Sequence, residues 1–274
     1  MALSRLGAAA AAALLAGCGA PALVLPHAHA PVHAATPALR RAPVYLYPAA
    51  ATAAGSACPP RAFVFFFGND VGFWRAHERL AELLSAHGYA VAGFDVRRAF
   101  GHLPTGPARA AAFLAEVDSL VAASRDALGA ANVPLVVAGH SIGGGLAVWT
   151  AVRLAAPGLA GVVTMSPGAR GHLRTGLSDM LGQEPHGADS FAVDSEVARL
   201  APRVRVALVR GTRDPFRYAD GQLVDVGARR FVVPGQGHSL LNLRAAGPVV
   251  LAAVAYVLDG ERADPAISSG PGSP

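Results

Sequence analysis

An α/β fold is expected: a mostly parallel central sheet, helices on both faces and a small insertion or lid. Three observations predict it. Short apolar runs alternate with amphipathic stretches from about residue 43 to residue 258, the pattern of strands and helices taken in turn. Several runs are apolar at every position, residues 62–67 and 89–94 among them, as strands covered on both faces must be. At residues 135–144 a buried strand breaks abruptly into a helical run, with Ser141 at the break and glycines on either side.

The elements follow in order. Residues 44–47 read as an edge strand stopped by Pro48. Residues 62–67 form a covered strand that ends in Gly68-Asn69-Asp70-Val71-Gly72, and a helix follows with Leu80, Leu83 and Leu84 on one face. Residues 89–95 are the next strand and lead into a loop over 96–104. A helix spans about 107–128, striped by Phe113, Leu114, Val117, Leu120, Val121 and Leu128. The central strand and the helix after Ser141 come next, then a strand over 159–165. Residues 169–200 are polar and weakly periodic and read as a lid-like insertion. Strands at 204–209 and 229–233 precede a last helix containing Val249, Val250, Val254 and Val257. The domain is thus 42–258, and residues 259–274 read as a disordered tail.

The spacing around Ser141 has a chemical reason. Gly139-His140-Ser141-Ile142-Gly143 is a G-x-S-x-G elbow, in which a tight strand-to-helix turn lifts the serine hydroxyl clear of the sheet. The residues two before and two after the serine are forced together, so only glycine-sized groups fit. A serine hydroxyl needs a base within hydrogen-bond reach, and the base needs an acid to orient it. Asp214 follows the strand at 204–209 and His238 follows the last strand, so both belong to the same rim as Ser141. Asp220 and Asp225 are alternative acids. His140 reads as packing in the elbow and not as a base. Acyl transfer also needs donors for the oxyanion: the backbone N–H of Ile142 is one, and the loop after the first long strand supplies the other, from Asn69 or, second, Asp70.

Composition narrows the partners. The chain has 274 residues, 53% hydrophobic and 15% charged, which suits one globular core and excludes a disordered chain. Net charge is +5, and all 23 basic residues are arginine. No basic run is interleaved with aromatics, so nucleic acid is not an expected partner. No metal or other cofactor is expected: His27, His29 and His33 lie in a proline-broken stretch and read as incidental.

Arg5 and an apolar run to Leu15 form a short secretory-type segment. Leu15-Ala16-Gly17-Cys18 resembles the lipobox of bacterial lipoproteins. That resemblance implies a signal peptide over 1–17, lipidation at Cys18, and a tether over 18–41 that holds the domain on a bacterial envelope membrane, facing the periplasm or the exterior. Ordinary cleavage after Ala30 and an uncleaved anchor are the alternatives. Cys58, beside Pro59 and Pro60, then reads as a free thiol in a loop.

The elbow, the Asp214 loop and the His238 loop together resemble the α/β-hydrolase superfamily over about residues 43–258. Within it, residues 67–75 and 88–98 are similar to the VirJ/AcvB group of periplasmic bacterial proteins. The turn at 68–72 is one residue longer than that group's, and His140 stands where the group often has tyrosine. The superfamily resemblance implies a serine hydrolase acting on a small-molecule or lipid carboxylic ester through Ser141, His238 and Asp214. The group resemblance implies an ester on a membrane lipid, such as an aminoacyl-phosphatidylglycerol, with Arg97 and Arg98 placed to meet its phosphate. A peptidase or thioesterase of the same fold is an alternative, as is a non-catalytic binding or secretion-adaptor protein on this scaffold.

Overall fold

The computed structural model describes residues 39, 42–50, 59–154, 157–175, 183–216 and 219–260. The expected signal peptide, Cys18, the His27–His29–His33 stretch, Cys58 and residues 261–274 lie outside the described residues, and Asp259 of the expected tail closes the last helix.

Seven strands form the main sheet in the order β1 (Val44–Tyr47), β3 (Ala90–Phe94), β2 (Phe63–Phe67), β4 (Leu135–His140), β5 (Leu159–Met165), β8 (Arg205–Gly211) and β9 (Ala228–Val233). β1 runs antiparallel to β3 and every other pairing is parallel. The chain runs from β2 out to β3 and then returns to place β4 on the other side of β2. That reversal opens a crevice beyond the C-terminal ends of β2 and β4, the usual ligand position in such sheets.

Helices cover both faces, which is why the central strands carry no polar face. All five residues of β2 are fully buried. Phe63, Phe65 and Phe67 pack on one side with α3 (Ala108–Ala127) and α4 (Ile142–Arg153). Val64 and Phe66 pack on the other with α1 (Arg75–Ala86) and α7 (Leu243–Asp259).

Three segments differ from the sequence reading. The loop expected after residue 95 begins with a short helix, α2 (Val96–Phe100). The Asp95 carboxylate accepts the Arg98 N–H at 3.0 Å and caps it. The insertion expected over 169–200 is narrower. Its ends pair as a ribbon outside the main sheet, β6 (Arg170–His172) against β7 (Ser190–Ala192). Residues Val193–Leu200 instead form α5, which buries Val193, Val197 and Leu200 in the core at i, i+4 and i+7 spacing. Finally, α6 (Asp220–Asp225) intervenes before β9.

Candidate functional site

The strand register sets the site. Phe67 of β2 lies opposite Gly139 of β4, and Gly211 of β8 lies opposite Val233 of β9. The residues that follow these strand ends therefore share one rim. Asn69 comes after β2, Ser141 after β4, Asp214 after β8 and His238 after β9.

Ser141 holds φ 56° and ψ −122°, a strained conformation for a residue other than glycine. The surroundings leave no other course for the chain. A side chain on Gly139 would collide with the Gly143 carbonyl, and one on Gly143 would collide with the carbonyls of Gly68 and Phe67. The Ser141 N–H donates to the Met165 carbonyl of β5 at 2.9 Å, and its own carbonyl accepts the Gly144 N–H at 2.9 Å. The turn is thus bonded on both sides.

Ser141 Oγ lies 3.0 Å from His238 Nε2. His238 Nδ1 lies 3.2 Å from both carboxylate oxygens of Asp214. A proton on Nδ1 satisfies that carboxylate and leaves Nε2 as an acceptor for the serine hydroxyl. The Phe216 ring stands edge-on to the imidazole, with centroids 5.1 Å apart. The acid and histidine loops are stitched together, since Arg213 N–H donates to the Gln236 carbonyl at 2.8 Å and Gly235 N–H to Thr212 Oγ1 at 2.9 Å.

Asp214 is fully buried, yet it is well paired. Oδ1 accepts the Phe216 N–H at 2.9 Å and Oδ2 accepts Arg210 Nη1 at 2.8 Å. Burial alone would raise its pKa. The hydrogen bonds from His238, Arg210 and Phe216, together with the Arg210 charge, outweigh burial and hold the carboxyl well below the ordinary range. Asp220, the alternative acid, is occupied elsewhere: it accepts Arg210 Nε at 2.9 Å. Asp225 closes α6 and makes no hydrogen bond with His238.

Arg210 was not singled out from the sequence. Its signal was a charge directly closing the apolar run of residues 206–209, because a buried charge needs partners. It has three: Asp214, Asp220 and the Pro167 carbonyl, the last at 2.7 Å.

On the oxyanion side, the Ile142 N–H opens α4 and has no intrahelical acceptor. Asn69 is the expected source of the second donor. Its backbone N–H donates to the Gly72 carbonyl at 3.2 Å, closing the turn, and its Oδ1 accepts the Val71 N–H at 3.2 Å. Its side-chain NH2 is the donor left to it. Arg97 and Arg98 are exposed on α2, and neither forms an ion pair with Asp70 among the described residues. No group of three or more metal-ligating side chains occurs among the described residues.

A family model described as serine aminopeptidase, S33, matches residues 59–220, more than half of the chain. Among solved structures, Est1E from Butyrivibrio proteoclasticus is 15% identical with a TM-score of 0.53, covering 77% of this chain and 94% of that one. The esterase domain of a Rhodothermus marinus protein is 16% identical with a TM-score of 0.52, covering 78% and 91%. A soluble variant of monoglyceride lipase from Saccharomyces cerevisiae is 16% identical with a TM-score of 0.51, covering 81% and 89%. At these identities the likeness is one of fold, and the fold is that of the α/β-hydrolases. No curated protein matches the sequence.

Proposed function

We propose, since the chain belongs to the serine aminopeptidase S33 family, that this serine hydrolase cleaves a carboxylic ester through an acyl-enzyme on Ser141. The observation that carries the reading is the unbroken line Ser141 Oγ, His238 Nε2, His238 Nδ1 and the Asp214 carboxylate. His238 takes the hydroxyl proton as Oγ attacks the ester carbonyl. Asp214 stabilises the imidazolium, and the tetrahedral oxyanion meets the Ile142 N–H. The second donor comes from the turn after β2, as the side-chain NH2 of Asn69 or the N–H of Asp70. The intermediate collapses, His238 protonates the leaving alkoxide, and water then releases the acid by the same steps in reverse.

The substrate class follows from the N-terminus and the rim. Cys18 in its lipobox-like setting would hold the enzyme on an envelope membrane, beside lipid esters. The exposed Arg97 and Arg98 would meet a headgroup phosphate. No helix among the described residues is long and apolar enough to cross a membrane. The family's own description favours a second reading, a peptidase using the same three residues.

The first test is labelling of the full chain with a fluorophosphonate. Wild type labels, and Ser141→Ala and His238→Ala do not. Labelling of Ser141→Ala at the wild-type rate overturns the assignment. Hydrolysis of lipid esters against aminoacyl-peptides then separates the two substrate readings. Cys18→Ser moving the protein out of the membrane fraction supports the anchor, and unchanged fractionation removes it.

A further inference from the structure

Two histidines that the mechanism does not use are buried directly behind the one it does. His140, the last residue of β4, is 2% exposed, and His77 in the first turn of α1 is 1% exposed. His77 Nε2 lies 3.0 Å from His140 Nδ1, and His140 Nε2 lies 2.8 Å from the backbone carbonyl of His238. At the far end, the Trp74 N–H donates to His77 Nδ1 at 3.4 Å.

The chain of bonds has one consistent proton assignment. A carbonyl only accepts, so His140 carries its proton on Nε2. A neutral His140 then accepts at Nδ1, so His77 carries its proton on Nε2. A neutral His77 accepts at Nδ1, where it faces the N–H of Trp74. Reading from the Trp74 end gives the same answer. A proton added to either ring would set two N–H groups against each other.

The stitching of the acid and histidine loops ends at Gln236 and does not reach the His238 main chain. His238 lies in a loop with glycines at 235 and 237, whose own closing bonds are long: Gln236 N–H to Val233 and Leu240 N–H to Gly237, each at 3.4 Å. Among the described residues, the bond from His140 is the one hydrogen bond to the His238 main chain. The pair is itself rigid, because the His77 ring packs against Phe66, Phe73 and Trp74.

We propose that His77 and His140 are positioning residues of the reaction. As a neutral hydrogen-bonded pair they fix the His238 carbonyl, and through it the imidazole, in line with Ser141. This rests on the triad reading above. The groups facing His140 are His77 from α1, His238 and Asp214 on the rim, and Arg210 on β8. Burial first, and then the His238 charge, push its pKa down to about 4, while the bond to the His238 carbonyl and then Asp214 partly offset this. Burial and then His140 lower that of His77. The pair is therefore neutral at pH 7.

The test compares His140→Leu, His140→Gln and His77→Leu with wild type in the full chain. It follows fluorophosphonate labelling rates from pH 5 to 9 and nitrogen-15 imidazole spectra at pH 7. The glutamine amide can donate where Nε2 does. We expect His140→Leu to label about 10–100-fold more slowly, His140→Gln within about threefold of wild type, and His77→Leu between the two. The spectra should show the Nε2–H form of both buried rings. Labelling of folded His140→Leu at the wild-type rate overturns the proposal, as does a His140→Gln no better than His140→Leu. A Nδ1–H form of His140 also overturns it, even if His140→Leu fails to fold. A wild type that does not label removes the nucleophile reading and this proposal's catalytic meaning together. Labelling that responds to Ser141→Ala but not to His140→Leu removes the proposal alone.

Discussion

Arg210 joins Asp214 and Asp220 by separate edges of one guanidinium, with Nη1 on Asp214 Oδ2 at 2.8 Å and Nε on Asp220 Oδ1 at 2.9 Å. All three groups are nearly inaccessible to solvent. The cation therefore serves two purposes: it permits two buried carboxylates, and it fixes the one that faces His238.

Removing that cation should be severe. Arg210→Met leaves two buried carboxylates without their shared cation and should cost about 3–5 kcal/mol in urea unfolding. Arg210→Lys should recover little of this, because an ammonium cannot span both carboxylates and the Pro167 carbonyl. A loss below about 1 kcal/mol for Arg210→Met would contradict the clamp.

Ser141 holds a backbone conformation better suited to glycine. Ser141→Gly should raise unfolding stability by about 1 kcal/mol while abolishing labelling. Ser141→Ala keeps the strain, so it should abolish labelling with stability within about 0.5 kcal/mol of wild type. Differential scanning calorimetry of the pair separates strain from chemistry.

Two glycines should respond in opposite directions to alanine. Gly143→Ala drives a methyl into the carbonyls of Gly68 and Phe67 and should cost more than about 3 kcal/mol or prevent folding. Gly221, exposed in α6, has open space where a Cβ would stand. Gly221→Ala should be neutral or stabilise by up to about 1 kcal/mol. Urea midpoints of the two variants check both.

Acid should destabilise the protein in two stages. The ordinary histidine pKa is 6.5 and that of buried His140 is about 4. The unfolded chain thus binds more protons between these values, and stability falls as pH falls from about 6.5 to about 4. His140 alone would contribute a loss of about 3 kcal/mol, with more from His77. Asp214, with its pKa held down, contributes stability above its ordinary value of 3.8 and loses it below that. Urea unfolding measured across pH should show the first stage flattened in His140→Gln. An unchanged slope in that variant would show that His140 titrates normally.

Ser141, Asp214 and His238 were visible in the sequence because local rules mark them. A strained turn demands glycines two residues either side of the serine, and each of the other two follows an apolar strand. The partners behind them were not visible. His77 and His140 are 63 residues apart, and His140 meets the His238 carbonyl across 98. No spacing encodes such contacts, since they arise only when α1, β4 and the last loop pack together. Asn69 was chosen by position, and which of its groups could serve was not legible, because its backbone N–H is taken up only by a turn that closes on Gly72. The core helix α5 was obscured by Asp194, Ser195 and Glu196, although Val193, Val197 and Leu200 already had helical spacing. α2 was missed because Asp95 was read as the end of a strand and not as a helix cap.

The sequence separation of 97 from Ser141 to His238 also sets a schedule. A ribosome adding about 5–20 residues per second completes the elbow roughly 5–20 s before the histidine exists. Until β9 docks beside β8, Ser141 lacks His238, and Asp214 after β8 has no imidazole to orient. The nascent chain is therefore chemically silent through most of its synthesis, and it gains reactivity only when the last strand and its loop close the sheet.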